Sequence, residues 1–590
     1  MRYGSVRDLD WFKPKKREPG ERSPIFPHEG FARSVKTMVD AEPLDALDAV
    51  VIGAGFAGLY MVYRLREDGF SVHGFERGDG VGGTWYWNRY PGARCDSEIM
   101  FYSFSFLSDL EQEWPLTERY PGQPEILRYL EEVTERLDLR KDFTFGAEVT
   151  AIEFDEASGR WTLRTAQGHE VTARYIVTAV GCLSTANQPA FPGAESFGGV
   201  TLHTGNWPTE PVDFAGKRVA VIGTGASGIQ AIPVIAEQAA HLTVFQRTAQ
   251  FTIPAENGPL DGQFVALWKQ NYPEWRRRAR HSAAGFPYNP SVTSAFEVSE
   301  AERRATFEAA WGAGGFTFLS GTFRDLVLNE AANDTAAEFV RKKIDEIVRD
   351  PVVADTLKPR DFPIGTKRLP LDTNYYETFN RPNVTLVDLK RTPVEEITPA
   401  GIRTTAGQHD FDVIVYATGF DALTGPLEAL GIRGRDGRSL RDAWREGPRT
   451  YLGVAVPGFP NLFTITGPGS PSVLSNMPVS IEQHVEWIGD CLAWTRRLGA
   501  GVIEATEQAA ADWTDHVQQI ASQTLHPKAA SWYMGANIPG KPRIFLPYLG
   551  GVGNYRDRCA SVADSGYQGF AVSGEGSDDH GTRPGQHRAA

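Results

Sequence analysis

The sequence predicts an α/β protein with two doubly wound, Rossmann-like domains, each built to bind a dinucleotide. Three observations lead to this prediction. A glycine-rich turn lies between an apolar strand and a helix near the amino terminus. The same strand–turn–helix–strand pattern returns in the middle of the chain. A stretch rich in Trp, Arg, Glu and Ala then predicts a helical insertion in the second domain, over about residues 254–349.

The first unit begins at Asp48 and reads DAVVIGAGFAGLYMVYRLREDGFSVHGFERGD. Gly53, Gly55 and Gly58 form the pattern GxGxxG between a strand and a helix. In this pattern the first glycine makes the tight turn, the second lets the backbone approach a pyrophosphate, and the third lets helix and strand pack closely. Glu76 follows the next strand, where a carboxylate accepts hydrogen bonds from a ribose and disfavours a 2′-phosphate. The unit therefore predicts a site for FAD or NAD and excludes NADP.

The segment that follows the first unit favours FAD over NAD at this site. It reads GDGVGGTWYWNRYPGARCD, over residues 78–96, and contains a second glycine pair and a loop rich in Trp and Arg. A domain that binds only NAD rarely has such a loop at this position.

The second unit begins at Lys217 and reads KRVAVIGTGASGIQAIPVIAEQAAHLTVFQR. Its glycine turn contains the predicted nucleotide-binding residues Gly223, Thr224, Gly225 and Gly228. The position equivalent to Glu76 carries Arg247, and Thr248 follows it. A guanidinium group beside a hydroxyl suits a 2′-phosphate, so the second unit predicts NADPH rather than NADH.

Composition and charge argue against several other classes of protein. Of 590 residues, 41% are hydrophobic and 23% charged, as in ordinary globular proteins, and the net charge of -14 argues against a nucleic-acid partner. The four cysteines form no CxxC pair, and no Cys/His cluster predicts a metal site, which indicates a reducing compartment. No apolar run reaches the roughly 18 residues of a membrane span, and the first residues lack a signal core. We therefore expect a cytoplasmic protein.

A motif between the two units identifies a family. Phe197, Gly199, His203 and Trp207 match FxGxxxHxxxW. No redox CxxxxC follows the first glycine turn, which argues against a disulfide reductase and leaves dioxygen as the obvious electron acceptor. The motif resembles the fingerprint of type I Baeyer–Villiger monooxygenases, whereas flavin-containing monooxygenases and N-hydroxylases usually end it in Tyr or Phe. The resemblance extends over residues 49–573 and also rests on GGTWYWNRYPGARCD, GTKRLPLDTNYYETFNRPNV, YATGFD, GFPNLFTITGPGSPSVLSNMPVSIEQHVEW and ASWYMGANIPGKPR.

The resemblance implies an FAD domain built from both ends of the chain, with the NADP domain inserted in it. The predicted FAD domain covers residues 46–185 and 411–573, and the predicted NADP domain covers residues 186–410. The stretch from Phe197 to Trp207 then lies at the crossover and orients the domains without touching the substrate. An amino-terminal extension over residues 1–45 and a disordered tail over residues 574–590 are outside the resemblance.

The chemistry that the resemblance implies begins with hydride transfer from NADPH to FAD. The reduced flavin takes dioxygen to give a C4a-peroxide, whose anion attacks a ketone and yields an ester or lactone. Arg368, in GTKRLP, matches the family's active-site arginine, which stabilises the peroxide anion and the later oxyanion. Asp96, in ARCDSE, matches the carboxylate that holds this arginine. Lys367 matches a position that helps Arg247 bind the 2′-phosphate.

Further positions match residues that surround the cofactors and the substrate in the family. Trp85 and Tyr102 match flavin contacts. Trp532 matches a residue that contacts the nicotinamide nucleotide and lines the substrate channel. Ser472, Val473 and Leu474 fall in a loop that resembles an active-site bulge. Val473 replaces a smaller residue there, which leaves the substrate range open.

Two alternatives stay open from the sequence. One is a flavin monooxygenase that oxygenates nitrogen or sulfur, and the other is a non-catalytic FAD- and NADP-binding sensor or scaffold. The favoured partners are a ketone and dioxygen, with no membrane span. We expect a monomer or a weak homo-oligomer.

Overall fold

The computed structural model describes residues 46–574, so the predicted extension over residues 1–45 and the tail after Gly574 lie outside the described residues. Its strands are, in chain order, β1 Leu47–Ile52, β2 Val72–Phe75, β3 Phe143–Thr144, β4 Val149–Asp155, β5 Arg160–Thr165, β6 Glu170–Thr178, β7 Val200–His203, β8 Arg218–Ile222, β9 His241–Gln246, β10 Ile253–Pro254, β11 Leu371–Asp372, β12 Val384–Asp388, β13 Val394–Thr398, β14 Gly401–Thr404, β15 Gly407–Asp410, β16 Val413–Tyr416, β17 Ile432–Arg433, β18 Leu462–Thr464, β19 Ala500–Ala505 and β20 Phe570–Gly574.

The α-helices are, in the same order, α1 Phe56–Glu67, α2 Thr84–Trp87, α3 Ser108–Glu113, α4 Gln123–Arg136, α5 Ala226–Gln238, α6 Gly262–Gln270, α7 Tyr272–Arg280, α8 Glu300–Ala313, α9 Thr317–Ser320, α10 Glu330–Ile347, α11 Pro351–Leu357, α12 Tyr375–Thr378, α13 Gly425–Glu428, α14 Leu440–Ala443, α15 Met477–Arg497, α16 Glu507–Ser522 and α17 Val552–Asp564. Short 3-10 turns that bear on the site are Ile99–Phe101, Ser472–Leu474 and Trp532–Met534. Within residues 46–574, no helix is both long enough and apolar enough to cross a membrane.

The first sheet combines strands from both ends of the chain. Its order is β17-β4-β5-β6-β1-β2-β3, and β18 pairs with the carboxyl-terminal half of β6. β1 lies between β2 and β6 and is parallel to both, with Ala49 opposite Val72 and Tyr175. The last four residues of β1 are buried, as expected for a parallel strand covered on both faces. Because β17 and β18 come from beyond residue 430, the chain leaves this domain and returns to it.

The second sheet is entirely parallel and has the order β12-β9-β8-β16-β7. β16 hydrogen bonds to both β7 and β8, so it belongs to the second domain. The predicted boundary between residues 410 and 411 is therefore wrong, because it lies before this strand rather than after it. The apolar run that forms β16 predicts a buried strand, but a buried parallel strand carries no signal for which of two similar sheets it joins.

The helical insertion is present and is enclosed by a short parallel pair, with Ile253 of β10 opposite Leu371 of β11. It extends beyond the predicted limit of residue 349, because Asp350 caps a further helix, α11. Arg276 of α7 donates a hydrogen bond to Glu111 at 2.6 Å, and both side chains are buried. This ion pair fixes the insertion against the part of the first domain that follows Asp96.

Candidate active site

The first glycine turn has the geometry of a pyrophosphate cradle. Gly53 has φ +107°, a conformation that favours glycine. A Cβ atom at Gly58 would lie 1.7 Å from the carbonyl oxygen of Gly53, so only glycine lets α1 pack on the turn. No side chain caps α1, which begins after Gly55. The N–H groups of its first turn are therefore available to a phosphate.

Glu76 and the second glycine pair complete this cradle. The Glu76 carboxylate accepts hydrogen bonds from the N–H groups of Ala54 at 2.8 Å and Gly78 at 2.7 Å. A carboxylate has about four lone-pair sites, so it can still accept hydrogen bonds from a ribose. Burial raises the pKa of Glu76, and these backbone hydrogen bonds oppose that effect. A Cβ at Gly55 would lie 3.4 Å from Cα of Gly83, which shows that the second glycine pair packs on the turn.

The second glycine turn repeats the first in the second domain. Gly223 has φ +111°, and a Cβ at Gly228 would lie 2.3 Å from the oxygen of Gly223. A Cβ at Gly225 would meet no atom of the described residues within 4 Å, which leaves space for a phosphate. Thr224 donates a hydrogen bond to the carbonyl of Thr248 at 3.0 Å, so these two predicted residues lie side by side.

Two cations lie together at the end of β9. Arg247 is exposed and follows this strand directly. Nζ of Lys367 lies 4.3 Å from the ring centroid of Phe362. Burial lowers the pKa of Lys367, and the charge of Arg247 lowers it further. Two positive groups at the ribose end of a phosphate cradle fit a 2′-phosphate.

Arg368 and Asp96 meet although 272 residues separate them in sequence. Nε of Arg368 donates to Asp96 at 3.0 Å, and a terminal N–H of the same guanidinium donates to the other carboxylate oxygen. The other terminal nitrogen donates to the carbonyl of Val473 at 2.9 Å. Burial would lower the pKa of Arg368, but the charge of Asp96 outweighs it and the pKa lies above its ordinary value. The guanidinium group is therefore a permanent and oriented positive charge.

Three chain segments position this pair. Asp96 lies in the loop between α2 and the 3-10 turn Ile99–Phe101, and Val473 lies in the 3-10 turn Ser472–Leu474. Arg368 lies just before β11, where the side-chain amide of Gln250 donates to its carbonyl at 2.7 Å. The contact between Asp96 and Arg368 that the sequence predicts is thus present, whereas their roles in a reaction stay predictions.

Aromatic residues lie around this pair. Nε1 of Trp85 donates to the Tyr102 hydroxyl at 3.2 Å. The ring of Tyr102 lies 5.2 Å from that of Phe56, the first residue of α1. Trp85 and Tyr102 therefore connect the first cradle to the Asp96 loop. Trp532 is partly buried, with its ring 4.4 Å from that of Tyr533.

Two contacts of the site have no signal in the sequence. The Val473 carbonyl accepts a hydrogen bond from the Arg368 guanidinium, and the Gln250 amide donates one to the Arg368 carbonyl. A backbone carbonyl carries no residue-type signal.

The stretch from Phe197 to Trp207, which contains the fingerprint motif, connects the two domains. Gly199 precedes β7, and a Cβ there would lie 2.5 Å from the carbonyl oxygen of Asp412. His203 ends β7, and its Nδ1 accepts a hydrogen bond from the N–H of Gly205 at 2.9 Å. Burial lowers the pKa of His203, which favours a neutral imidazole. The backbone N–H of Trp207 donates to the carbonyl of Trp87 in the first domain at 3.2 Å.

The side chains of the same stretch pack in the second domain. The buried ring of Trp207 belongs to the hydrophobic core of that domain. Phe197 packs on the other face of its sheet, against a cluster that contains Tyr416. These contacts support a role at the joint between the domains.

Known proteins resemble this chain over most of its length. Residues 50–257 match the family model described as Pyridine nucleotide-disulphide oxidoreductase. A Baeyer-Villiger monooxygenase of Pseudooceanicola batsensis is 46% identical over 523 residues, which cover 88% of this chain and 95% of that protein. A phenazine N-monooxygenase of Lysobacter antibioticus is 44% identical over 528 residues, or 89% of this chain and 97% of that protein. The solved structure of an oxidized steroid monooxygenase bound to NADP is 53% identical, with a TM-score of 0.86, and covers 90% of this chain and 100% of that one.

The two cradles, the arginine beside them and these relatives define a flavin-dependent monooxygenase that uses NADPH. Within that class, the chain belongs to the type I Baeyer–Villiger monooxygenases. Its reaction is the insertion of one oxygen atom of dioxygen next to a ketone carbonyl, which gives an ester or lactone, with FAD and NADPH as cofactors. The alternative of a nitrogen- or sulfur-oxygenating enzyme is not favoured.

Proposed function

We propose that this enzyme acts on an apolar ketone, and that Arg368 stabilises negative charge on the reacting oxygen atoms. The observation that carries this proposal is the guanidinium group of Arg368, held by Asp96 and by the Val473 carbonyl. Asp96 follows the loop that touches the first cradle, and Lys367, next to Arg368, lies beside Arg247 of the second. The residues that hold and flank this positive charge therefore adjoin both of the predicted cofactor sites.

The cradles fit the two cofactors of the family. Gly53, Gly55, Gly58 and Glu76 would hold FAD, with Trp85 and Tyr102 on the flavin side. NADPH would be held by the second turn, Gly223, Thr224, Gly225 and Gly228, and by Arg247, Thr248, Lys367 and Trp532. When bound, FAD reduced by NADPH supplies the activated oxygen for the reaction. The protein's own residues then have to orient the ketone, exclude water and stabilise charge.

Arg368 suits the charge that develops during the reaction. Attack on a carbonyl carbon moves negative charge onto the carbonyl oxygen, and a positioned cation stabilises that charge without reorganisation. Since a guanidinium does not lose its proton in the working pH range, this stabilisation is independent of pH. Asp96 keeps the guanidinium in one orientation by accepting two of its N–H groups. We assign Asp96 to positioning Arg368.

An apolar cluster beside Arg368 supports the choice of an apolar ketone. Val473, Leu423, Tyr533 and Phe545 are buried in one cluster, with Trp532 packed against it. Burial of apolar substrate surface against such side chains contributes roughly 25 cal/mol per Å².

NADPH consumption with a panel of ketones tests the proposed function. We expect ester or lactone products, identified by mass spectrometry, from at least one of cyclohexanone, 4-phenylbutan-2-one and progesterone. Thioanisole and phenazine serve as controls for oxygenation of sulfur and nitrogen. Formation of S- or N-oxides with no ester from any ketone would instead support the alternative activity. An FAD-loaded protein that consumes no NADPH with any compound would support a sensor or scaffold.

Replacing Arg247 by alanine should impair binding of NADPH far more than binding of NADH. Hydrogen bonds to a charged group contribute about 1.5–3 kcal/mol, so we expect the KM for NADPH to rise at least about tenfold. The KM for NADH should change less than about twofold, because NADH has no 2′-phosphate. Steady-state kinetics with both nucleotides measures the two values, and Arg381→Ala provides an exposed arginine control. Equal changes for the two nucleotides would contradict the assignment.

We also propose a cytoplasmic location and a monomeric or weakly oligomeric state. All four cysteines are buried and unpaired, which supports a reducing compartment. Fractionation of cells that produce the protein and light scattering of the purified holoenzyme would test these two points.

A further inference from the structure

The loop that carries Asp96 packs directly on α5, the helix that follows the second glycine turn. Gly92, four residues before Asp96, has φ +83°, a conformation that favours glycine. A Cβ atom there would lie 2.3 Å from the carbonyl oxygen of Gln230 and 3.0 Å from Cγ2 of Val234, so only glycine allows this approach. Because the loop belongs to the first domain and α5 to the second, this packing joins the two predicted cofactor domains.

The side chain of Gln230 binds the backbone of this loop. Its Oε1 accepts hydrogen bonds from the N–H of Arg94 at 3.4 Å and from the hydroxyl of Tyr90 at 2.8 Å. Its Nε2 donates to the carbonyl of Arg94 at 3.1 Å. A glutamine amide offers a donor and an acceptor together, which this arrangement requires. One side chain of α5 therefore binds both main-chain polar groups of Arg94, two residues before Asp96.

A second contact holds the side chain of the same arginine. The guanidinium group of Arg94 donates to Glu118 at 3.0 Å and to the carbonyl of Tyr120 at 2.6 Å. Asn257, which follows β10, donates to the Glu118 carboxylate at 2.9 Å and accepts from the N–H of Tyr120 at 2.8 Å. The second domain thus holds Arg94 indirectly through Asn257 and directly through Gln230.

We propose that Gln230 is a positioning residue, which fixes the Asp96 loop to α5 and thereby places the pair of Asp96 and Arg368 relative to the second glycine turn. This inference rests on the proposed function of Arg368. Gln230 lies two residues after Gly228, the last glycine of that turn. The helix that would hold the pyrophosphate of NADPH therefore also binds the loop of Asp96. Gln230 acts through Asp96, whose carboxylate orients the Arg368 guanidinium, and takes no part in the chemical step.

Gln230→Met tests this proposal, because methionine keeps the length and helix propensity of glutamine and removes all three hydrogen bonds. We expect kcat for lactone formation from cyclohexanone to fall at least about tenfold, since misplacing a catalytic group by about 1 Å costs up to about 100-fold. The KM for NADPH should change less than about twofold, because the glycine turn and the start of α5 are unchanged. Gln238→Met is the matched control, since Gln238 is exposed at the end of the same helix, and it should keep wild-type values.

Hydrogen exchange of the purified holoenzyme reports on the loop without turnover. Peptides that cover residues 88–98 should exchange faster in Gln230→Met than in the wild type, because the N–H of Arg94 loses its acceptor. The same peptides should exchange at the wild-type rate in Gln238→Met. Tyr90→Phe removes only one of the three hydrogen bonds, so its kcat and its exchange should lie between those of Gln230→Met and the wild type. This variant provides the same comparison if Gln230→Met does not fold.

Combination with Arg368→Ala separates positioning from a general structural effect. Since Gln230 acts through Arg368, Gln230→Met should change ester formation less than about twofold in the Arg368→Ala background. A fall as large as in the wild-type background would show that the two residues act independently, and would overturn the proposal. Wild-type kcat in Gln230→Met would also overturn it, whatever the exchange rates. If wild-type enzyme forms no ester from any ketone, it is the proposed function that fails, and the exchange comparison still tests the contact between the loop and α5.

Discussion

Arg368→Ala is expected to reduce ester formation by about 100- to 1000-fold, the range observed when one preorganised oxyanion donor is removed. The alanine variant has no permanent cation next to Asp96, so nothing replaces the lost charge at the reacting oxygen. FAD should stay bound, because Arg368 makes no contact with the first glycine turn. The measurement is the rate of ester formation by mass spectrometry, compared with the rate of NADPH oxidation in the same sample. We expect oxidation of NADPH to continue while ester formation is lost.

Two further variants make this result specific. Arg368→Lys keeps the charge but cannot make the paired contact with both oxygens of Asp96, so its activity should lie between those of the alanine variant and the wild type. Arg360→Ala removes an exposed arginine that pairs with Asp355 and should have wild-type activity. The Asp96 side chain is 18% exposed, so its charge keeps some hydration without Arg368 and the variant should fold. Ester formation within twofold of the wild type in Arg368→Ala would contradict its assigned role.

The parts of the fold that local sequence determines could be predicted. Both glycine turns are where GxGxxG places them, because the first glycine of each, Gly53 and Gly223, has positive φ and the third, Gly58 and Gly228, has no room for a Cβ. These steric requirements involve residues that are close in sequence, so they produce a recognisable sequence pattern. The domain boundary near β16 could not be read in the same way, because the sheet that a strand joins depends on contacts with distant strands.

The residues of the site also divide into those that could be predicted from sequence motifs and those that only the fold brings together. The contact between Asp96 and Arg368 was predicted from motifs that resemble a family, since no local pattern links residues so far apart. The carbonyl of Val473 was missed because every residue has a carbonyl group, and only the fold directs this one at Arg368.

Gly58→Ala is expected to abolish FAD binding and to destabilise the first domain. The added Cβ would lie 1.7 Å from the carbonyl oxygen of Gly53, so α1 must move away from the turn that would hold the pyrophosphate. Overpacking against backbone typically costs about 1–3 kcal/mol, and here the displaced element is the cradle itself. The purified variant should be colourless, and its Tm should be lower than that of the wild-type holoenzyme. The measurements are flavin absorbance per protein and thermal unfolding.

Alanine substitutions at two other glycines distinguish loss of FAD binding from loss of the folded structure. A Cβ at Gly55 would make only an ordinary contact, 3.4 Å from Cα of Gly83, so Gly55→Ala should fold normally but bind FAD more weakly, because its methyl group occupies the space of the pyrophosphate. Gly312 lies within α8, and a Cβ there would meet no described atom within 4 Å. Gly312→Ala should therefore keep its FAD and gain up to about 1 kcal/mol in stability. Full FAD content and an unchanged Tm in Gly58→Ala would show that the turn can shift to accept a side chain, and the role assigned to this glycine would then be wrong.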